Sequence, residues 1–112
     1  MNDTPLVLCR RTAEQITVDG VLSERSWAAV EPVTLCRTDT GDAARFRTEV
    51  RLLWDDTYLY ASFHCVDTDI WANMVLRDAP LWEEEVVEMF LDPNRSGNAY
   101  FEFVVNPLNT LT

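Results

Sequence analysis

The sequence predicts an all-β domain, an antiparallel β-sandwich of the jelly-roll kind. Three observations carry that expectation. Short runs of period-two alternation recur along the 112 residues, as half-buried strands require. Turn formers separate those runs at Asp19–Gly20, Asp55–Thr57 and Pro93–Asn98. No apolar run exceeds four residues, whereas a membrane helix needs roughly twenty. The length corresponds to one small domain, residues 1–112, and a hydrophobic content of 47% excludes a disordered tail.

In chain order, Gln15–Val18 is a short β-prone run that ends at Asp19–Gly20. Ser23–Val30 predicts one or two helical turns with Ser23 as N-cap and Trp27 in the core. Val33–Arg37 is a further short strand, and Thr38–Ala44 a polar loop. Arg45–Trp54 is the clearest alternation: Phe46, Thr48, Val50, Leu52 and Trp54 face inward, with Arg45, Arg47, Glu49 and Arg51 opposite. Tyr58–Val66 returns as its hairpin partner, with Leu59, Ala61, Phe63 and Cys65 inward. Cys65 is therefore expected as a buried small hydrophobe.

Asp67–Glu84 is a long irregular stretch in which Trp71 and Trp82 are expected at the surface. Glu85–Asp92 and Ala99–Asn106 form a second hairpin. Val87, Met89 and Leu91 share one of its faces. Val86, Glu88 and Phe90 share the other with Tyr100, Glu102, Val104 and Asn106, which brings Glu88 close to opposite Glu102 or Val104. About six strands are few for a closed sandwich, so the fold is expected to be an incomplete one. Exposed edges would then invite self-association or completion by another chain.

Charge narrows the function. Nine arginines stand against nineteen acids, a net charge of −10, and there is no lysine. Through Arg51 there are seven arginines and eight acids; beyond it, two and eleven. Such a surface repels phosphate backbones and anionic lipid, so neither nucleic acid nor membrane is an expected partner. Cys9, Cys36 and Cys65 are odd in number and widely spaced, which predicts neither a disulfide framework nor a zinc site. One histidine, His64, without an identifiable nucleophile builds no catalytic triad. The N-terminus shows no basic region followed by an apolar stretch, so no secretory signal is read in this chain. Asn2-Asp3-Thr4 and Asn94-Arg95-Ser96 match the glycosylation sequon, a pattern too common to weigh.

The second hairpin carries the chemistry. Glu88, Glu102 and Asn106 alternate with core residues, Tyr100 shares their face, and Trp82 precedes them. An aromatic ring packs on the C–H face of a sugar, while carboxylates and amides hydrogen-bond its hydroxyls. Two carboxylates also suit glycoside hydrolysis, but no deep apolar pocket is visible that would raise one pKa. A binding role without catalysis is the expectation. Asp67, Asp69, Asp78, Glu83, Glu84 and Glu85 are candidate oxygen ligands for calcium, the three aspartates foremost, although the EF-hand spacing is absent.

These residues also resemble a known family. The run Ile16–Trp27 (ITVDGVLSERSW) is similar to the opening block of carbohydrate-binding module family 9, a β-sandwich of the DOMON-like group. Leu53–Ala61 (LWDDTYLYA), Arg77–Pro93 (RDAPLWEEEVVEMFLDP) and Tyr100–Pro107 (YFEFVVNP) resemble its next three blocks in order. The resemblance covers the N-terminal part of the family domain. It implies a sugar-binding module, often appended to glycoside hydrolases and able to carry structural calcium, and it suggests secretion or a periplasmic location. It implies that Trp82 is a stacking platform, that Glu88 is the first polar ligand and that Asn106 helps to bind hydroxyls. Val104 stands where sugar-binding members carry an arginine, and the second platform tryptophan belongs to a part of the domain beyond Thr112. Two alternatives stand beside this expectation. One is a haem-binding electron-transfer module of the same sandwich class, with His64, Met74 and Met89 as candidate axial ligands. The other is a structural or interaction domain with no small ligand.

Overall fold

A computed structural model describes residues 5–112 of the chain; the Asn2-Asp3-Thr4 sequon lies outside them. The fold is all-β, with two separate sheets as a β-sandwich requires. No described helix is long and apolar enough to cross a membrane. The chain divides into two compact units, one ending at Val66 and the other running from Asp67 to Thr112.

In the first unit, β3 (Thr48–Trp54) is the central strand and β4 (Leu59–Cys65) pairs with it antiparallel along its whole length, from Thr48↔Cys65 to Trp54↔Leu59. The turn between them is closed by one carboxylate. Asp55 accepts the N–H groups of Thr57 and Tyr58, both at 2.8 Å, and the Tyr60 hydroxyl at 2.7 Å. Two shorter strands complete the sheet: β2 (Val33–Thr34), antiparallel, and β1 (Arg10–Arg11), parallel to Leu53–Trp54. The expected strand at Gln15–Val18 is not one. The first pairing falls earlier, where the Thr12 N–H extends it to the Trp54 carbonyl at 2.8 Å. Gln15–Val18 is used for packing instead: Ile16 lies against the core, and the Thr17 N–H reaches the Glu24 carboxylate.

The helix α1 is shorter than expected, Arg25–Ala28, and Ser23 does not cap it. Glu14 takes that role from outside the helix, accepting the N–H groups of Arg25 at 3.3 Å and Ser26 at 2.6 Å together with the Ser26 hydroxyl. These bonds, the Ser26 hydroxyl foremost, hold the Glu14 carboxyl below its ordinary pKa. Trp27 is in the core as expected, 5% exposed, and its indole N–H is satisfied by Glu24 at 3.1 Å.

The buried face of this sheet is the opposite of the expected one. The core consists of Trp27, Val30 and Leu53, with Ile16 and Tyr60 against it. Trp54, Leu59 and Cys65, expected inside, are exposed. The reason lies in the run Leu52-Leu53-Trp54, where the alternation stops and the strand is apolar on both sides. The short helix covers the Leu53 side. Arg51 and Glu49 share that side and pair at 3.5 Å, with 22% and 19% of their side chains exposed. On the other side the Arg11 guanidinium lies over the Trp54 ring, 5.5 Å from its centre.

In the second unit the expected hairpin is present with both strands trimmed. β5 (Val87–Leu91) and β6 (Phe101–Val105) run antiparallel, with Glu88 opposite Val104 and Phe90 opposite Glu102. Asp92 closes the turn by accepting the N–H groups of Gly97 at 2.7 Å and Ser96 at 3.2 Å. Gly97 has φ +75°, a conformation that suits glycine. Past β6 the chain turns through Asn106–Asn109 and comes back. Val104 and Thr112 exchange two backbone hydrogen bonds of 2.9 Å, so the last residues line the second edge of β6.

Candidate functional site

The second unit holds four residues expected to contact a ligand, and the site is assembled from its supports upward. Its base is Leu81, completely buried, and Val104, 2% exposed. Leu81 begins a 3₁₀ turn, Leu81–Glu83, and this turn puts the neighbouring Trp82 outward, 60% exposed. An open groove of about 320 Å³ results, lined by Trp82, Glu102, Val104 and Thr112. Glu88 lies on the same sheet face, directly across from Val104 and diagonal to Glu102. Both carboxylates are exposed, and neither is drawn into an ion pair among the described residues.

Asn106 is placed differently from the other three. It is 5% exposed, and its side chain is engaged within the unit. Its amide donates to the Met74 carbonyl at 2.8 Å, and its oxygen accepts the N–H groups of Leu108 at 3.0 Å and Thr110 at 2.9 Å. One side chain therefore holds both the turn after β6 and the loop before the tryptophan.

That loop is irregular as expected, apart from the 3₁₀ turn at its end, and it is tied down at many points. The Met74 carbonyl also accepts the Thr110 hydroxyl at 2.8 Å, and the Ala79 carbonyl the Thr112 hydroxyl at 2.7 Å. The Asp78 N–H donates to the Leu111 carbonyl at 3.0 Å. The Glu84 carboxylate accepts the N–H groups of Asn73 at 3.0 Å and Met74 at 3.2 Å, and Glu85 accepts that of Trp71 at 3.1 Å. Thr110 and Thr112 are thus supports that the sequence did not point to, and Glu84 and Glu85, expected only as candidate calcium ligands, accept loop N–H groups instead. The period-two pair Thr110 and Thr112, after the turn formers Asn106-Pro107, is the signal that would have found the returning segment.

The calcium candidates are not gathered. Asp67 accepts the Asp69 N–H at 2.9 Å in a local turn. Asp78 has φ +64° and lies beside Arg77 at 3.7 Å. Among the described residues no three His, Cys, Asp or Glu side chains come together as a metal would need, so these residues do not by themselves form a cation cage. Of the haem candidates, His64 lies in β4 opposite Glu49, in the first unit, and Met74 and Met89 lie in the second.

The arrangement suits a neutral, hydroxyl-rich ligand. An exposed indole offers a flat apolar surface, two exposed carboxylates accept hydroxyl hydrogens, and no basic side chain lines the groove. The groove is open to water.

Comparison with known proteins gives the same direction. Residues 18–107 match the family described as carbohydrate family 9 binding domain-like. The endo-1,4-beta-xylanase A of Thermotoga maritima is 30% identical over 101 residues, which cover 85% of this chain and 9% of the xylanase. The endo-1,4-beta-xylanase A of Thermoanaerobacterium saccharolyticum is 28% identical over 85 residues, 76% of this chain and 7% of that protein. The chain thus spans less than a tenth of the length of these curated relatives. No solved structure matches it.

Proposed function

This chain belongs to the carbohydrate family 9 binding domain-like family, and we propose that it binds oligosaccharide or polysaccharide without catalysis, through the groove beside Trp82. The observation that carries the proposal is the exposed Trp82 ring, set beside a groove with Glu102 on its wall by a completely buried Leu81. A sugar ring stacks on the indole, and Glu102 and Glu88 accept its hydroxyl hydrogens. Asn106 acts in support: its bonds to Met74, Leu108 and Thr110 fix the loop that leads to the tryptophan. Val104 gives the groove an apolar floor. The relatives named above are xylanases, which makes β-1,4-xylan the first polymer to test and an association with a glycoside hydrolase the natural setting.

The test is a tryptophan-fluorescence titration of the chain with xylo-, cello- and manno-oligosaccharides. Binding of one series should change the emission, and Trp82→Ala should abolish both the change and the binding measured by calorimetry. Undiminished calorimetric binding in Trp82→Ala would remove this tryptophan from the site. A flat response of the parent chain to all three series would favour an interaction domain without a small ligand.

A further inference from the structure

A second groove lies on the same face of the β5–β6 hairpin. Its volume is about 290 Å³, and Phe90, Asp92, Gly97 and Tyr100 line it. Side chains alternate along a strand, so Glu88, Phe90 and Asp92 share one face of β5 and its extension, as Tyr100, Glu102 and Val104 do along β6. The first groove includes Glu102, the second includes Phe90, and these two residues are direct cross-strand partners. The grooves therefore meet at the Phe90–Glu102 pair. From Val104 to Tyr100 is four residues, roughly 13 Å at about 3.3 Å per residue, a distance that calls for more than one sugar ring.

We propose that this second groove is a further sugar subsite, which takes the next units of a neutral oligosaccharide whose first ring stacks on Trp82. The proposal rests on the reading of the Trp82 groove given above. The phenyl and phenol rings are held edge to face, with centres 5.6 Å apart and planes at 64°, and both are more than half exposed. The exposed ring faces are apolar surfaces on which a sugar ring stacks, and they adjoin the Trp82 groove through the Phe90–Glu102 pair. Asp92 gives the groove its acidic edge. Its carboxyl is held below its ordinary pKa, first by the Gly97 N–H and then by Ser96, and so it stays charged while it fixes the turn. With no basic side chain in either groove, the ligand is an uncharged polyhydroxylated chain rather than an acidic polysaccharide. It lies along the strands, and Glu102 stands between its successive units.

Calorimetric titration of the full chain with two-unit and four-unit members of the xylo, cello and manno series tests the subsite. The four-unit sugar should bind about five- to tenfold more tightly than the two-unit one. Tyr100→Ala should remove that gain and leave two-unit binding unchanged, whereas Tyr100→Phe, which keeps the ring, should retain it. Phe90→Leu keeps the apolar volume without the ring and should lose part of the gain; it carries the test if the thermal melt shows Tyr100→Ala unfolded. Equal affinity for both lengths, or a Tyr100→Ala loss that is the same at every length, would overturn the subsite and leave the Trp82 site standing. Absence of binding by the parent chain would overturn both.

Discussion

The two units stabilise their sheets by opposite means. The first, ending at Val66, closes a small apolar core of Trp27, Val30 and Leu53 under a single short helix. Its polar bonds serve the edges: Glu14 at the helix start and Asp55 at the hairpin turn. The second, from Asp67, buries only Leu81 and Val104 among its large apolar side chains. It is held instead by hydrogen bonds between its loop and its last residues, through Asn106, Thr110 and Thr112, and by bonds from the loop to the Glu84 and Glu85 carboxylates. Apolar burial is non-directional, whereas hydrogen bonds fix angles as well as distances. The unit that carries the exposed Trp82 ring is the one built from directional bonds.

The largest effect expected from this division is on stability. Trp27→Ala should cost about 3–5 kcal/mol in urea denaturation, because it removes the main apolar mass of the first unit. At low denaturant the folded variant should still bind sugar, since Trp27 belongs to the unit without the groove. A folded Trp27→Ala that had lost binding would break the comparison. Asn106→Ala should show the reverse balance. It leaves the N–H groups of Leu108 and Thr110 without their partner and takes one of two donors from the Met74 carbonyl, at a cost of about 1–3 kcal/mol for a group left unsatisfied. Sugar affinity should fall with it, because the loop before Trp82 loses its anchor. Asn106→Ala with parental affinity would show that the loop holds its place without that side chain.

The division also accounts for what the sequence made legible. Turn chemistry was readable because it is local: Asp55 and Asp92 act on residues two to five positions away. Strand pairing within each hairpin followed from those turns and from period two. The buried face of β3–β4 did not follow, since alternation identifies two faces without saying which is covered, and the doubly apolar end at Leu52–Trp54 gave the helix a place to dock. The helix cap was missed because Glu14 is remote in sequence from Arg25 and Ser26. In the candidate site, the shared face of Glu88 and Glu102 and the exposure of Trp82 were readable from alternation and position. The support by Thr110, Thr112 and Glu84 was not, because loop carbonyls and amides carry no residue signature and their partners depend on where the chain returns.

The smallest effect is one of pH, and it separates the two turns. Both are closed by an aspartate whose carboxyl is held below its ordinary pKa, Asp55 first by the Tyr60 hydroxyl and Asp92 first by the Gly97 N–H. Each contribution is therefore present above the ordinary carboxylate range and is lost as pH falls through the lowered value. Only the first turn has a phenol as donor. The bond to Asp55 pushes the Tyr60 pKa up from 10.0 to about 12, since ionisation would take the shared proton away and place two negative charges together. The Tyr60 contribution is thus fully present below pH 10.0 and disappears as pH rises through about 12. In an alkaline titration followed by tyrosinate absorbance, one of the three tyrosines should ionise late, near pH 12. Tyr60→Phe should remove that late step, leave the rest of the curve in place and spare sugar binding. Superimposable titrations per tyrosine in the parent chain and the variant would mean that the Asp55–Tyr60 bond does not persist in solution, and that the Asp55 carboxylate is held by the N–H groups of Thr57 and Tyr58 alone.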